Sequence, residues 1–269
     1  MSESEEIELR QLATHEEFVQ AVELQRITWG AQFRDVVPAA IMKVTQRVGG
    51  IAAGAFNGHG ELLGLVYGLS GFYDGRIAHW SHMLAVRPEH RDHGLGRKLK
   101  EYQRSELLAA GIEWIYWTVD PLIARNAHFN LNRLGVEVRE YVPDMYGDTG
   151  STLHAFGTDR FVVAWPVRSD RGSRIGDHGS RIGDHSNAPV LNKSDDAALA
   201  CALTQPLVRV EIPVDIEKLS LDDARAWRQS TRRAFLAALK NDFVVSGFIR
   251  DDDGRAYYLL PRRESADNS

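Results

Sequence analysis

One short run of the chain carries the residue types that bind a phosphorylated ligand. Arg91-Asp92-His93-Gly94-Leu95-Gly96-Arg97-Lys98 stands between an apolar stretch ending at Val86 and a string from Leu99 with apolar positions at helical spacing. Read as strand, tight turn and helix, this arrangement puts unpartnered amides and the positive end of the helix dipole at the turn. That is an anion site. Glycine at 94 and 96 removes side chains that would keep a phosphate off the backbone, and Arg91, Arg97 and Lys98 add positive charge around the same point. A pyrophosphate fits such a turn. The competing reading is a strand-to-helix turn that needs two glycines only for its shape.

The spacing narrows the ligand. A dinucleotide fingerprint would need a third glycine where Leu99 stands, and a phosphate loop would need Gly-Lys-Ser/Thr, so neither motif is present. The strand leading into the turn offers His79, Ser81 and His82, and period-two alternation places His82 on the face of Leu84 and Val86. Imidazole titrates near neutral pH, which suits proton transfer at a ligand; a packed structural histidine is the alternative. Asp120, before Pro121, could orient or accept from a polar ligand group, or cap the next helix. No Gly-x-Ser-x-Gly elbow occurs, and the single cysteine, Cys201, falls in a linker-like stretch. That one cysteine excludes an internal disulfide and a multi-cysteine metal site.

The elements that would position these residues follow from pattern. Ile7 to Leu12 reads as a strand, and Thr14-His15-Glu16-Glu17 is a capping box opening a helix to about Trp29. Pro38 starts a helix that Gly49-Gly50 ends. Ile51 to Phe56 and Leu62 to Leu69 form a hairpin through Asn57-Gly58-His59-Gly60, and Gly71 to Gly75 turns the chain into the strand ending at Val86. After the helix stopped by Gly111, Trp114 to Val119 reads as a buried strand, Ala124 to Leu134 as a helix ended by Gly135, and Val136 to Val142 and Phe161 to Val167 as further strands.

The whole chain sets limits. Its 269 residues, 43% hydrophobic and 26% charged, allow one large or two small domains with a real core. A net charge of -5 gives no footprint for nucleic acid or an anionic membrane. The acidic start, Met1-Ser2-Glu3-Ser4-Glu5-Glu6, is unlike a signal peptide, and no apolar run reaches membrane-spanning length. A cytoplasmic protein is expected.

The motif Arg91-x-x-Gly94-x-Gly96, preceded by Val86-x-Pro88, resembles the acyl-CoA loop of the GCN5-related N-acetyltransferases (GNAT), and the similarity covers roughly residues 7–168. Within it the chain is similar to a branch of predicted acetyltransferases associated with N-acylamino acid racemases, at Trp29-Gly30, Ser81-His82-Met83, Lys100, Gln103-Arg104, Trp117 to Leu122, Arg125 to Leu131, Tyr146-Gly147 and Thr158-Asp159-Arg160. The resemblance implies an α/β (α+β) GNAT fold: a central mixed, mostly antiparallel sheet, splayed at the acyl-CoA site and flanked by helices. It implies acetyl-CoA or another acyl-CoA, succinyl-CoA included, as co-substrate, with no metal. Arg91, Asp92, His93, Gly94, Leu95, Gly96, Arg97 and Lys98 would then hold the diphosphate. The Leu84 amide would polarise the thioester carbonyl, and the pantetheine arm would pair with Ala85 and Val86, wedging the sheet open against Trp117 and Thr118. Asn126 would bond the cofactor arm, or cap a helix start. Many relatives carry a tyrosine where Leu131 stands, so Tyr146, Tyr102 or solvent is left to protonate the thiolate. Thr158-Asp159-Arg160 would close the acceptor site or make a salt-bridged strand entry.

Past residue 168 the pattern changes. Gly172 to His178 is repeated without change as Gly179 to His185, which reads as a flexible linker over 169–203, with loose metal binding by its histidines the lesser alternative. A strand from Leu207 to Ile212, a helix opened by Ser220 and a hairpin of Phe243 to Arg250 with Ala256 to Leu260 make a small extension over 204–269. It is expected to pack on the 1–168 domain. Ala224, Trp227, Thr231, Ala234, Phe235 and Ala238 supply the helix's apolar stripe, with Arg225, Arg228, Arg232 and Arg233 mostly off it. These arginines would hold a substrate carboxylate or form a solvated face.

The sequence therefore points to direct acyl transfer from acyl-CoA to the amine of a small molecule, an amino acid among the options, with His82, Leu84, Asp120 and Tyr146 as the catalytic candidates. A non-catalytic acyl-CoA-binding or regulatory protein is the alternative. Oligomeric state is open, a homodimer included, and neither nucleic acid nor membrane is expected as a partner.

Overall fold

The computed structural model describes residues 7–147, 154–168, 185 and 187–263. The duplicated heptapeptide lies outside them except for His185. The protein is a mixed α/β structure whose larger sheet has seven strands in the order β1-β2-β3-β4-β5-β7-β6, mostly antiparallel, with a second sheet of three. Its strands are β1 (Glu8–Gln11), β2 (Ile51–Phe56), β3 (Leu62–Tyr73), β4 (Arg76–Val86), β5 (Trp114–Val119), β6 (Glu137–Val142), β7 (Arg160–Pro166), β8 (Leu207–Ile212), β9 (Gly247–Arg250) and β10 (Ala256–Pro261). The helices are α1 (His15–Trp29), α2 (Ala39–Arg47), α3 (Leu95–Ala109), α4 (Ala124–Ala127), α5 (Asp196–Ala202) and α6 (Leu221–Lys240). Two compact units divide the described residues, the first holding 7–117, 154–155 and 166–168, the second the remaining described residues.

In the first unit, β1 to β4 are joined antiparallel in chain order. Thr14 caps α1 by accepting from the Glu17 amide while the Glu17 carboxylate accepts from the Thr14 amide, the reciprocal box expected of these residues. The helix then buries Phe18, Ala21 and Leu24 with Met42, Leu65, Tyr67, Met83 and Ala85. The β3–β4 turn lies later than expected: both strands continue to Tyr73 and Arg76, and Asp74 and Gly75 make the reversal at φ 52 and 73. Two successive positive φ values are what a tight two-residue hairpin needs, and Asp-Gly supplies them.

In the second unit, β6 and β7 pair antiparallel, and β10 lies between β8 and β9. Phe161, Phe235 and Tyr258 meet edge to face, with the rings of Phe161 and Phe235 4.9 Å apart. The expected helix after Pro121 begins as α4 and continues as a π-helical stretch, His128–Leu134, before Gly135 ends it at φ 68. Two expectations are corrected here. Part of the stretch taken for linker is ordered: Asp195 caps α5, and Cys201 is exposed on that helix. On α6 the buried face takes Arg228 beside Ala224, Thr231, Ala234, Phe235 and Ala238, because the guanidinium finds a carboxylate there.

Candidate functional site

The glycine turn and α3 have the geometry the sequence demands. Pro88–His90 makes a 3-10 turn after β4, and Gly94, at φ 77, caps α3 without any side-chain hydrogen bond. The first-turn amides of Leu95, Gly96 and Arg97 therefore have no acceptor within the helix. Gly94 needs its positive φ. Gly96 does not need its missing side chain for packing, since a Cβ there would meet Leu84 Cδ2 at 3.7 Å and Val86 Cγ2 at 3.9 Å, which is ordinary contact. A side chain at 96 would project from the start of α3 toward Leu84 and Val86 of β4. Arg91, Asp92, His93 and Lys98 are exposed at this end. Arg91 Nε donates to the Val86 carbonyl at 3.1 Å, and Arg97 Nε donates to Glu101 at 2.7 Å.

The strand before the turn is open on one side. β4 runs parallel to β5 at His79↔Ile115 and Trp80↔Tyr116 only, so Ser81 to Val86 have no β5 partner among the described pairs. This is the splay expected of the sheet, and a free strand edge accepts an extended chain as an added strand.

On its other side β4 carries a bulge. Tyr67 pairs with Met83 and Gly68 with Ser81, leaving His82 as the extra residue. The bulge switches faces. Leu84 and Val86 lie toward α3 beside Gly96, and so do Ser81 and His79, which bond to Lys100 and Gln103. Met83 and Ala85 pack instead with α1 and α2. The shared face expected for His82 with Leu84 and Val86 therefore does not hold. His82 sets its ring edge-on to Tyr67 at 6.2 Å, and the Tyr67 hydroxyl lies 2.8 Å from Thr45 of α2. Although the residue is exposed, desolvation of its ring lowers its pKa, against the pull of the Asp35 carboxylate. The shift favours the neutral ring.

A polar network that sequence reasoning missed lies under the bulge. Lys100, 2% exposed, donates to Ser81 Oγ at 2.7 Å and to Gln103 Oε1 at 3.4 Å, with its ammonium 3.8 Å from the centre of the Trp117 ring. The Gln103 amide donates to His79 Nε2 at 3.0 Å. Ser70 gives its proton to the Gly49 carbonyl, so His79 donates from Nδ1 to Ser70 Oγ. Burial holds His79 neutral with a pKa of about 3, which makes it a structural histidine. The available signal was a lysine and a glutamine at the core-facing positions of α3, beside Leu99 and Leu107.

The remaining predicted residues belong to the second unit. The Asp120 carboxylate accepts from the Leu122 amide at 2.9 Å, from Arg160 at 3.2 Å and from Arg228 at 3.0 and 2.7 Å. It caps the following turn and neutralises buried guanidiniums. Asp159 is buried too; burial alone would raise its pKa, but hydrogen bonds from Arg232 and Tyr141 outweigh that and lower it. Thr158-Asp159-Arg160 is thus a salt-bridged strand entry. Tyr146 lies 2.9 Å from Thr118 Oγ1 through its hydroxyl. Asn126 is exposed inside α4, whose N-cap position is Ile123, with no side-chain cap hydrogen bond. Among the described residues no His, Cys, Asp and Glu side chains gather into a metal site, and no helix is long and apolar enough to cross a membrane.

No family model and no curated protein matches the sequence. Solved structures are similar to part of it. The NatC complex bound to Gag peptide and CoA aligns at TM-score 0.48 and 17% identity over 60% of this chain and 98% of that one. An aminoglycoside 6'-N-acetyltransferase complexed with coenzyme A aligns at TM-score 0.46 and 17% identity over 60% and 98%. The ribosomal-protein-S18-alanine N-acetyltransferase from Escherichia coli aligns at TM-score 0.46 and 16% identity over 60% and 94%.

Proposed function

We propose that this protein is an acyl-CoA-dependent N-acyltransferase of the GNAT type, passing an acetyl or related acyl group directly to the amine of a small molecule. The observation that carries the reading is the space kept clear by Gly96, at an uncapped helix start facing Leu84 and Val86, together with a β4 that has no β5 partner past Trp80 among the described pairs. A diphosphate suits the first and an extended pantetheine arm the second. Arg91, Arg97 and Lys98 supply charge around the diphosphate, and Asp92, His93, Gly94, Leu95 and Gly96 its backbone cradle.

Transfer needs a polarised carbonyl, a neutral amine and a protonated leaving thiolate. The amide of Leu84, two residues past the bulge, is assigned to the carbonyl, and Ala85 and Val86 to the arm. His82 is assigned to the amine proton, because its lowered pKa favours the neutral ring. Asp120 leaves the catalytic set, its oxygens being engaged by two arginines and an amide. Tyr146 is kept as the acid and Asn126 as a contact for the cofactor arm. An amino acid as acceptor, succinyl-CoA as donor and a cytoplasmic location belong to the same proposal. Incubating the chain with acetyl-CoA or succinyl-CoA and an amine panel, and following free thiol, tests it. Amine-dependent thiol release supports transfer; tight CoA binding with no release across the panel indicates a binding protein instead.

A further inference from the structure

Lys100 is a buried cation with no carboxylate within salt-bridge distance among the described residues. Taking an ammonium out of water is unfavourable unless something replaces the lost hydration. The groups facing it are Ser81 and His79 from β4, Gln103 from its own helix and Trp117 from β5, and His79 is neutral. Among the described residues, an oxygen pair and an aromatic face compensate it. Its location explains what it does. The last β4–β5 pair is Trp80↔Tyr116, and Ser81 and Trp117 are the next residues on each strand, so the ammonium touches both strands at the first level where they part. Ser81 also adjoins the bulged His82, and the face switch at the bulge is what turns Ser81 toward α3.

We propose that Lys100 is a positioning residue of the acyl-CoA opening: it pins the His82 bulge of β4 to α3 and seats Trp117 of β5 at the point where the sheet divides. This rests on the acyl-CoA reading above. Lys100 acts through Ser81 on the segment His82 to Leu84, which carries the assigned base and carbonyl-polarising amide. Burial lowers the amine to about 7, so its charge is poised. Phosphates bound at the start of the same helix favour the charged form, and binding should draw in a proton.

The test is calorimetric titration of acetyl-CoA into the wild-type chain, Lys100→Met and Ser81→Ala, slightly above neutral pH in buffers of different ionisation enthalpy. Wild type should take up a fraction of a proton that Lys100→Met does not, and Lys100→Met should bind about tenfold more weakly. Ser81→Ala should bind several-fold more weakly and keep the uptake; it carries the test if Lys100→Met does not fold. Equal affinity and equal uptake in Lys100→Met would overturn the assignment. Amide hydrogen exchange without ligand separates this inference from the acyl-CoA reading. Exchange at His82 to Leu84 should be about tenfold faster in either variant, even if wild type binds no acetyl-CoA. Unchanged exchange would mean Lys100 pins nothing.

Discussion

The Asp120 carboxylate accepts both of its shortest side-chain hydrogen bonds from one nitrogen of Arg228, at 3.0 and 2.7 Å, and the two residues are 108 positions apart in the chain. Arg160 shares the same carboxylate at 3.2 Å. Removing one member of a buried ion pair strands the other charge, at a cost of about 3–5 kcal/mol. Asp120→Ala should therefore lose stability on that scale in urea denaturation, and Asp120→Asn a substantial part of it. A soluble Asp120→Asn with unchanged stability and abolished thiol release would instead make Asp120 a catalytic group.

Lys100 makes stability depend on pH in a known direction. Its folded-state pKa is about 7 against an unfolded value of 10.5, so between these the unfolded chain binds more protons and stability rises with pH. That contribution is lost as pH falls through about 7. His79 acts likewise on the acid side, where stability falls from about pH 6.5 toward 3. Comparing denaturation midpoints of wild type and Lys100→Met across this range isolates the lysine: the variant should lack the alkaline rise and be the more stable near neutral pH. Parallel profiles would contradict a buried, weakly basic amine.

Much of this was legible because it is local. The Thr14–Glu17 box, the Gly94 cap and the hydrophobic strands each declare themselves within a few residues. Arg228 did not, since an arginine on a helix reads as solvated until the distant Asp120 is known to face it. Nor did the bulge at His82: alternation along β4 is intact as text, and only the pairing with β3 shows that the faces exchange between Ser81 and Met83. The network of Lys100, Ser81 and Trp117 depends on that exchange and was hidden with it. The Asp74-Gly75 turn was readable, its dipeptide being the strongest short hairpin signal, but the glycine at 71 drew the boundary too early.

Gly96 separates folding from binding. A methyl group there makes only ordinary contacts with Leu84 and Val86, so Gly96→Ala should keep or gain stability, by up to about 1 kcal/mol. Its affinity for CoA should nonetheless fall at least about tenfold, because the methyl occupies the assigned diphosphate approach. Thermal unfolding with and without CoA reads both effects at once. Unchanged affinity would remove the ligand from this turn.

His82 predicts a pH profile. Its pKa lies below the ordinary 6.5, so amine-dependent thiol release should be level near neutrality and fall only on the acid side of that value. His82→Ala should lose roughly two to four orders of magnitude in turnover with little loss of stability, as the side chain is exposed. If turnover and the acid limb both survive the substitution, another group is the base.

The central claim is that the turn from Arg91 to Lys98 holds the diphosphate of an acyl-CoA. Calorimetric titration of acetyl-CoA into the folded chain measures this most directly. A saturable heat that weakens with salt and is largely lost in Arg97→Glu is the predicted result; no heat with folded protein, or binding indifferent to that charge reversal, would contradict it.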